Sequence, residues 1–158
     1  MPLPFLRRAL VAAAVGALAL ATTACEPTPS SDPAAMAATS SEATQLQALV
    51  DAYRSTQGLP PLEQASDATA KAQEHANDMA ASLSLVHSSS LSAGISAGWQ
   101  AIGENVGVGG NVTELQSMFE ASSAHQANMV SSAYDQIGVG AARGADGRLY
   151  VTEIFVGR

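Results

Sequence analysis

Three features of the chain predict a layered α+β domain. Helical periodicity runs through much of it, a strand–turn–strand pattern closes it, and the intervening length suffices for one core. Leu46, Leu49, Val50 and Tyr53 recur at three- to four-residue spacing and predict a helix over 45–57. Gly58 stops it, and Pro60-Pro61 set an extended exit. A second helix is expected over 66–83, with Ala68, Ala72, Ala76, Met79 and Leu83 as its buried stripe. Small residues on that stripe imply close packing. A serine-rich connection follows over 86–97, and Asn105 to Val108 form a short strand candidate. Thr113 to Ala121 read as a third helix, capped by Asn111 and turning Leu115, Met118 and Phe119 inward. Ala124 to Val130 form one more helical turn. The period then changes: Gln136–Ala142 and Arg148–Val156 are strand candidates, the second broken in its alternation at Glu153. Gly144-Ala145-Asp146-Gly147 joins them with a hairpin signal.

The N-terminal part has a different character. Residues 1–24 carry Arg7 and Arg8, then an apolar run over 9–21 and small residues, the pattern of an export signal. That run is too short for a spanning helix, and no later uncharged stretch matches it. Cys25 is the only cysteine, so no internal disulfide is possible. Thr22-Thr23-Ala24-Cys25 resembles a lipobox, although Thr22 stands where leucine is usual. Two outcomes follow: acylation of Cys25, or cleavage after Ala24 that leaves a free thiol. A lone thiol is unusual in an exported protein, which favours acylation and a membrane anchor. Residues 25–43, rich in Pro, Ser, Thr and Ala, read as a disordered tether, which leaves 44–158 as the folded domain.

All fourteen acidic residues lie beyond Cys25 against five basic ones, so the exported part carries a formal charge of −9. That balance excludes a nucleic-acid partner and supplies no polybasic patch for headgroups. Contact with the membrane is therefore expected through the lipid anchor only, and the domain is expected to be a monomer.

Polar chemistry concentrates in three separated stretches: Leu85-Val86-His87-Ser88-Ser89, Gly103-Glu104-Asn105-Val106 and His125-Gln126-Ala127-Asn128-Met129. Imidazole beside carboxylate suits proton transfer or metal ligation, and two histidines with one carboxylate are enough for an open zinc site. The chain has no HExxH helix. The competing reading is structural, with His87 and His125 bonding Glu104 and nearby backbone to tie loops together. His75 reads as a partly exposed helix residue outside any site, and Ser88, Ser89 and Ser90 as a solvated turn. Trp99 reads as a core anchor beneath the site. Gly107-Val108-Gly109-Gly110 lacks the spacing of a nucleotide loop.

Taken in order, these pieces resemble the CAP superfamily of cysteine-rich secretory proteins, antigen 5 and pathogenesis-related protein 1, in its short, disulfide-free bacterial branch. The resemblance spans 46–155. It rests on the opening helix with Gly58-Leu59-Pro60-Pro61-Leu62, on Leu85-x-His87-Ser88, on Gly103-Glu104-Asn105, and on Ser122-x-x-His125-x-x-Asn128-Met129. Ile137-Gly138-Val139-Gly140 and Tyr150-Val151-Thr152-Glu153-Ile154-Phe155 complete it. The resemblance implies a three-layer α-β-α sandwich and a cavity lined by His87, Glu104 and His125. Ser122 stands where eukaryotic relatives have a second glutamate. Glu120 lies about 200° around a helix from that position, so it is no substitute. Asp51 stands where many relatives have asparagine. Two functions are then expected to compete: an envelope-anchored module binding a glycan, lipid or peptide, with zinc as a possible cofactor held by His87 and His125, and a histidine-dependent or metal-dependent hydrolase of peptide or cell-wall substrates. Loss of the second carboxylate and the lack of a framed nucleophile favour binding over catalysis.

Overall fold

The structure, a computed structural model, describes residues 33–158. The expected signal segment and Cys25 lie outside the described residues. The chain runs α1 (Pro33–Thr56), β1 (Glu63–Gln64), α2 (Ser66–Ser82), β2 (Ala101–Gly109), α3 (Val112–Ala121), α4 (Ser123–Met129), β3 (Gln136–Arg143) and β4 (Leu149–Gly157). The strands form one sheet in the order β1-β3-β4-β2, parallel between β1 and β3 and antiparallel elsewhere.

Side-chain alternation on the strands creates two cores. Ile137, Val139 and Ala141 of β3, with Leu149, Val151 and Phe155 of β4, meet Leu46 and Val50 of α1, Leu115 and Phe119 of α3 and Met129 of α4. Ala142, Tyr150, Ile154 and Val156 point the other way, onto Ala68, Ala72, Ala76 and Met79 of α2. The result is the α-β-α sandwich expected from the resemblance. Its α2 layer is set very close: a β-carbon on Gly138 or Gly140 would fall 2.1 and 2.3 Å from the α2 backbone. Only glycine under the alanine stripe permits that approach.

Most elements lie where periodicity placed them. Asn111 caps α3 by accepting the Glu114 N–H at 3.0 Å. Asp51, despite replacing asparagine, still accepts the Leu62 N–H at 2.9 Å and holds the chain as it leaves α1.

Four expectations are corrected. Residues 33–43 are helical rather than a disordered tether. Pro33 opens α1, the alanines after it have the highest helix propensity, Ala43 is buried, and Glu42 pairs with Arg143. Strand β2 is twice as long as expected, because it pairs with β4 along its whole length despite its glycines. Leu83 leaves the buried stripe: as the C-cap of α2 it turns left-handed (φ 52°) and is 48 % exposed. Trp99 is no core anchor but lies 38 % exposed, and buried Ile95 serves that connection instead.

Candidate functional site

Strand β2 lies at the edge of the sheet, and its consecutive residues Glu104 and Asn105 face opposite layers. Glu104 projects toward α2 and the loop after it, with only 4 % of its side chain exposed. Both of its oxygens are engaged. Oε2 receives His87 Nδ1–H at 2.7 Å and the Ser88 N–H at 3.0 Å, while the Ser88 hydroxyl donates to Oε1. The carboxylate therefore fixes the loop and sets the His87 tautomer, leaving the His87 side chain 63 % exposed.

His75 joins this group, contrary to the expectation that it stands apart. Its side chain is 11 % exposed, with Nε2–H donating to the Val86 carbonyl at 2.9 Å and lying 3.9 Å from Glu104 Oε1. The signal was in the sequence: His75 is three residues after Ala72 and four before Met79, squarely on the buried stripe. Ser88 is likewise a ligand of Glu104 and not simply a solvated turn.

Asn105 works on the opposite face. Its amide donates to Glu153 Oε2 at 2.9 Å and to the His125 carbonyl at 3.3 Å, and its Oδ1 accepts from Asn128 Nδ2 at 2.9 Å. Asn128 Nδ2 also reaches the Glu104 carbonyl at 3.2 Å, satisfying the free edge of β2. Gly103 makes room, since a β-carbon there would fall 2.5 Å from Tyr134 Oη and 2.9 Å from Asn128 Oδ1. Glu153, which sequence reasoning noted only as a break in alternation, is the deepest member. It is fully buried, Oε1 has no hydrogen-bond partner among the described residues, and burial pushes its carboxyl up to about 8.

The His125 ring packs edge-on against Phe119, with centroids 4.9 Å apart. Burial lowers its basicity, and the nearby charge of His87 lowers it further. The two imidazoles thus sense one another around the edge of β2, while no hydrogen bond joins the His125 ring to Glu104. Ser122 sits at the α3–α4 junction, donating its N–H to Phe119 O at 3.2 Å and accepting Gln126 N–H at 2.8 Å. Its hydroxyl makes no hydrogen bond to His87, Glu104 or His125.

A zinc ion requires several lone pairs converging on one point about 2 Å away. Here the lone pairs of Glu104 are directed at His87 and Ser88. Among the described residues, no group of three or more His, Cys, Asp or Glu side chains is arranged to hold a metal. The residues do not fit the expected zinc. What the arrangement does supply is an exposed imidazole on a pinned loop, together with a second imidazole whose basicity burial lowers.

A family model, that of the cysteine-rich secretory protein family, matches residues 47–156. Among solved structures the chain is similar to an outer surface protein of Borrelia burgdorferi, with a TM-score of 0.69 and 16 % identity over 76 % of this chain and 95 % of that one. An extracellular SCP-domain protein from Bacillus anthracis gives a TM-score of 0.69 and 23 % identity, covering 82 % of this chain and 45 % of that one. A cysteine-rich secretory protein from Staphylococcus aureus gives 0.63 and 21 %, covering 76 % of this chain and 39 % of that one. Likeness at these identities is one of fold. No curated protein sequence matches.

Proposed function

The chain belongs to the cysteine-rich secretory protein family, and from that premise we propose that it is an exported binding module, anchored at the cell envelope through Cys25, that receives a glycan, lipid or peptide over the His87–Glu104–His125 surface. Export is supported by the signal-like N-terminus and by the outer-surface and extracellular relatives. One observation carries the choice of binding over hydrolysis: Glu104 has both oxygens committed to the His87–Ser88 loop. With three donors on it and only 4 % of its side chain exposed, this carboxylate is poorly placed to activate water. The Ser88 hydroxyl donates into it and is not offered as a nucleophile to His87. Such a device presents an imidazole rigidly, which reduces the ordering cost of binding.

The test is a titration of the isotope-labelled chain with soluble peptidoglycan fragments, short peptides and lipid micelles, read from the side-chain resonances of His87 and His125. One class should shift both imidazoles at saturation, and the doubly substituted His87→Ala, His125→Ala chain should lose the shift. Turnover of any of these probes by the unsubstituted chain, abolished in that variant, would transfer the site to the hydrolase reading.

A further inference from the structure

The described residues leave five large apolar side chains substantially exposed, and three of them cluster in one stretch: Leu83 at 48 %, Leu85 at 48 % and Val86 at 51 %. The stretch Leu83-Ser84-Leu85-Val86 carries no charge. Leu83 also holds a left-handed C-cap position, where glycine is the usual occupant, so this leucine is kept at a conformational disadvantage while facing solvent. Clustered apolar exposure of this kind marks a contact surface.

The position of the patch says what it contacts. The chain enters the fold at the same end of the sandwich. Glu42 of α1 pairs with Arg143 at the end of β3, and the next residue, Gly144, lies against Leu83: a β-carbon there would sit 2.8 Å from Leu83 Cδ2. From Glu42 the helix runs away from this end, down to Arg54, which binds the carbonyls of Met129 and Ser131 ahead of β3. The residues of α1 before Glu42, back to Pro33, continue the helix in the direction of this end. Cys25 is eight chain steps from Pro33, a covalent reach of at most about 28 Å. An anchor on Cys25 consequently tethers the domain by the end that bears Leu83.

We propose that Leu83, Leu85 and Val86 form a lipid-contacting tip that orients the anchored domain, with His87 immediately behind the membrane surface. The occupant is a bilayer surface, met by apolar insertion; the chain's acidic balance offers no electrostatic alternative. An acyl anchor alone would leave the domain free to rotate on its tether. The tip supplies the second contact, and through the Val86 carbonyl and His75 it joins the loop that Glu104 pins. This inference rests on the reading of Cys25 as the membrane anchor.

The experiment places a single tryptophan at the tip. The full chain carrying Trp99→Phe and Leu85→Trp is expressed in a bacterial host and reconstituted into phosphatidylglycerol–phosphatidylethanolamine vesicles with brominated acyl chains. A Trp99→Phe, Gln57→Trp chain reports from the far end of α1. Tip fluorescence should shift to the blue and be quenched by the brominated lipid, while the reporter at position 57 stays water-like. Equal, water-like emission from both overturns the tip. A blue shift already present without vesicles, growing with protein concentration, assigns the patch to a second copy of the chain and overturns it as well. Mass spectrometry of Cys25 in the same samples reads the anchor separately. Acylated Cys25 with an unquenched tip refutes the tip alone; unmodified Cys25 with a quenched tip refutes the anchor alone.

Discussion

Glu153 is the residue whose chemistry is most exposed to experiment. A group whose folded pKa is raised weakens the fold above its unfolded value, so the Glu153 contribution worsens as pH rises from about 4.5 toward about 8. His125 acts in the opposite sense. Its lowered basicity costs stability as pH falls below about 6.5, where the unfolded imidazole takes up a proton that the folded one resists. Glu153→Gln keeps the shape and the contact with Asn105 but cannot ionise. Thermal unfolding followed across pH 5 to 9 should show the variant gaining on the parent as pH rises, by a few kcal/mol at the alkaline end. Parallel curves for the two proteins would mean that Glu153 does not titrate in this window. Glu104→Gln tests the other carboxyl. It would lose the charged acceptor of three donors, loosen the His87 loop and destabilise by about 1–3 kcal/mol, and the His87 resonances should broaden. Unchanged resonances would show the loop to be held by something else.

At the scale of elements, α2 against β3 is the tightest joint. Gly140→Ala would drive a methyl into the Ala72 backbone, and the clash should lower stability by about 1–3 kcal/mol or more, visible as a drop in Tm. Leu83→Gly should do the reverse. Relieving the left-handed C-cap should raise stability by about 1 kcal/mol in solution while weakening vesicle contact, and an unaltered Tm would remove the argument from strain. The same elements show what the amino-acid pattern made legible. α2, α3, β3 and β4 carry caps, periodic stripes and a turn signal, all of them local, and each lies within a few residues of its expected bounds. β1 escaped notice because two residues become a strand only by lying beside β3. The first turns of α1 escaped because alanine among serine and proline reads equally as linker. In the candidate site, His87 and Glu104 were legible as a pair through their motifs. Ser122 was carried over from a family position and joins neither. His75 was legible from its place on the α2 stripe, whereas Glu153 contributes through burial that depends on distant chain segments and is weakly encoded in local pattern.

On the scale of the molecule, Arg54 ties the far end together. Arg54 is 1 % exposed, and its guanidinium spans the carbonyls of Pro60, Met129 and Ser131, segments from both halves of the chain. Burial lowers its pKa, and nearby Asp51 opposes the change. Arg54→Met would leave those carbonyls without their donor and should cost about 2–4 kcal/mol in denaturant unfolding. A loss below half a kcal/mol would show that water replaces the side chain at no penalty.

The placement of β4 has a consequence for how the protein is made. Among the described residues this strand is the last, is buried along its entire length, and is the one hydrogen-bonded to both β2 and β3. α1 and α2 also pack on β3, but neither core closes until β4 supplies Leu149, Val151 and Phe155 to one face and Tyr150, Ile154 and Val156 to the other. A stop codon ahead of Leu149 would accordingly leave both cores open and yield material for proteases and no smaller working domain.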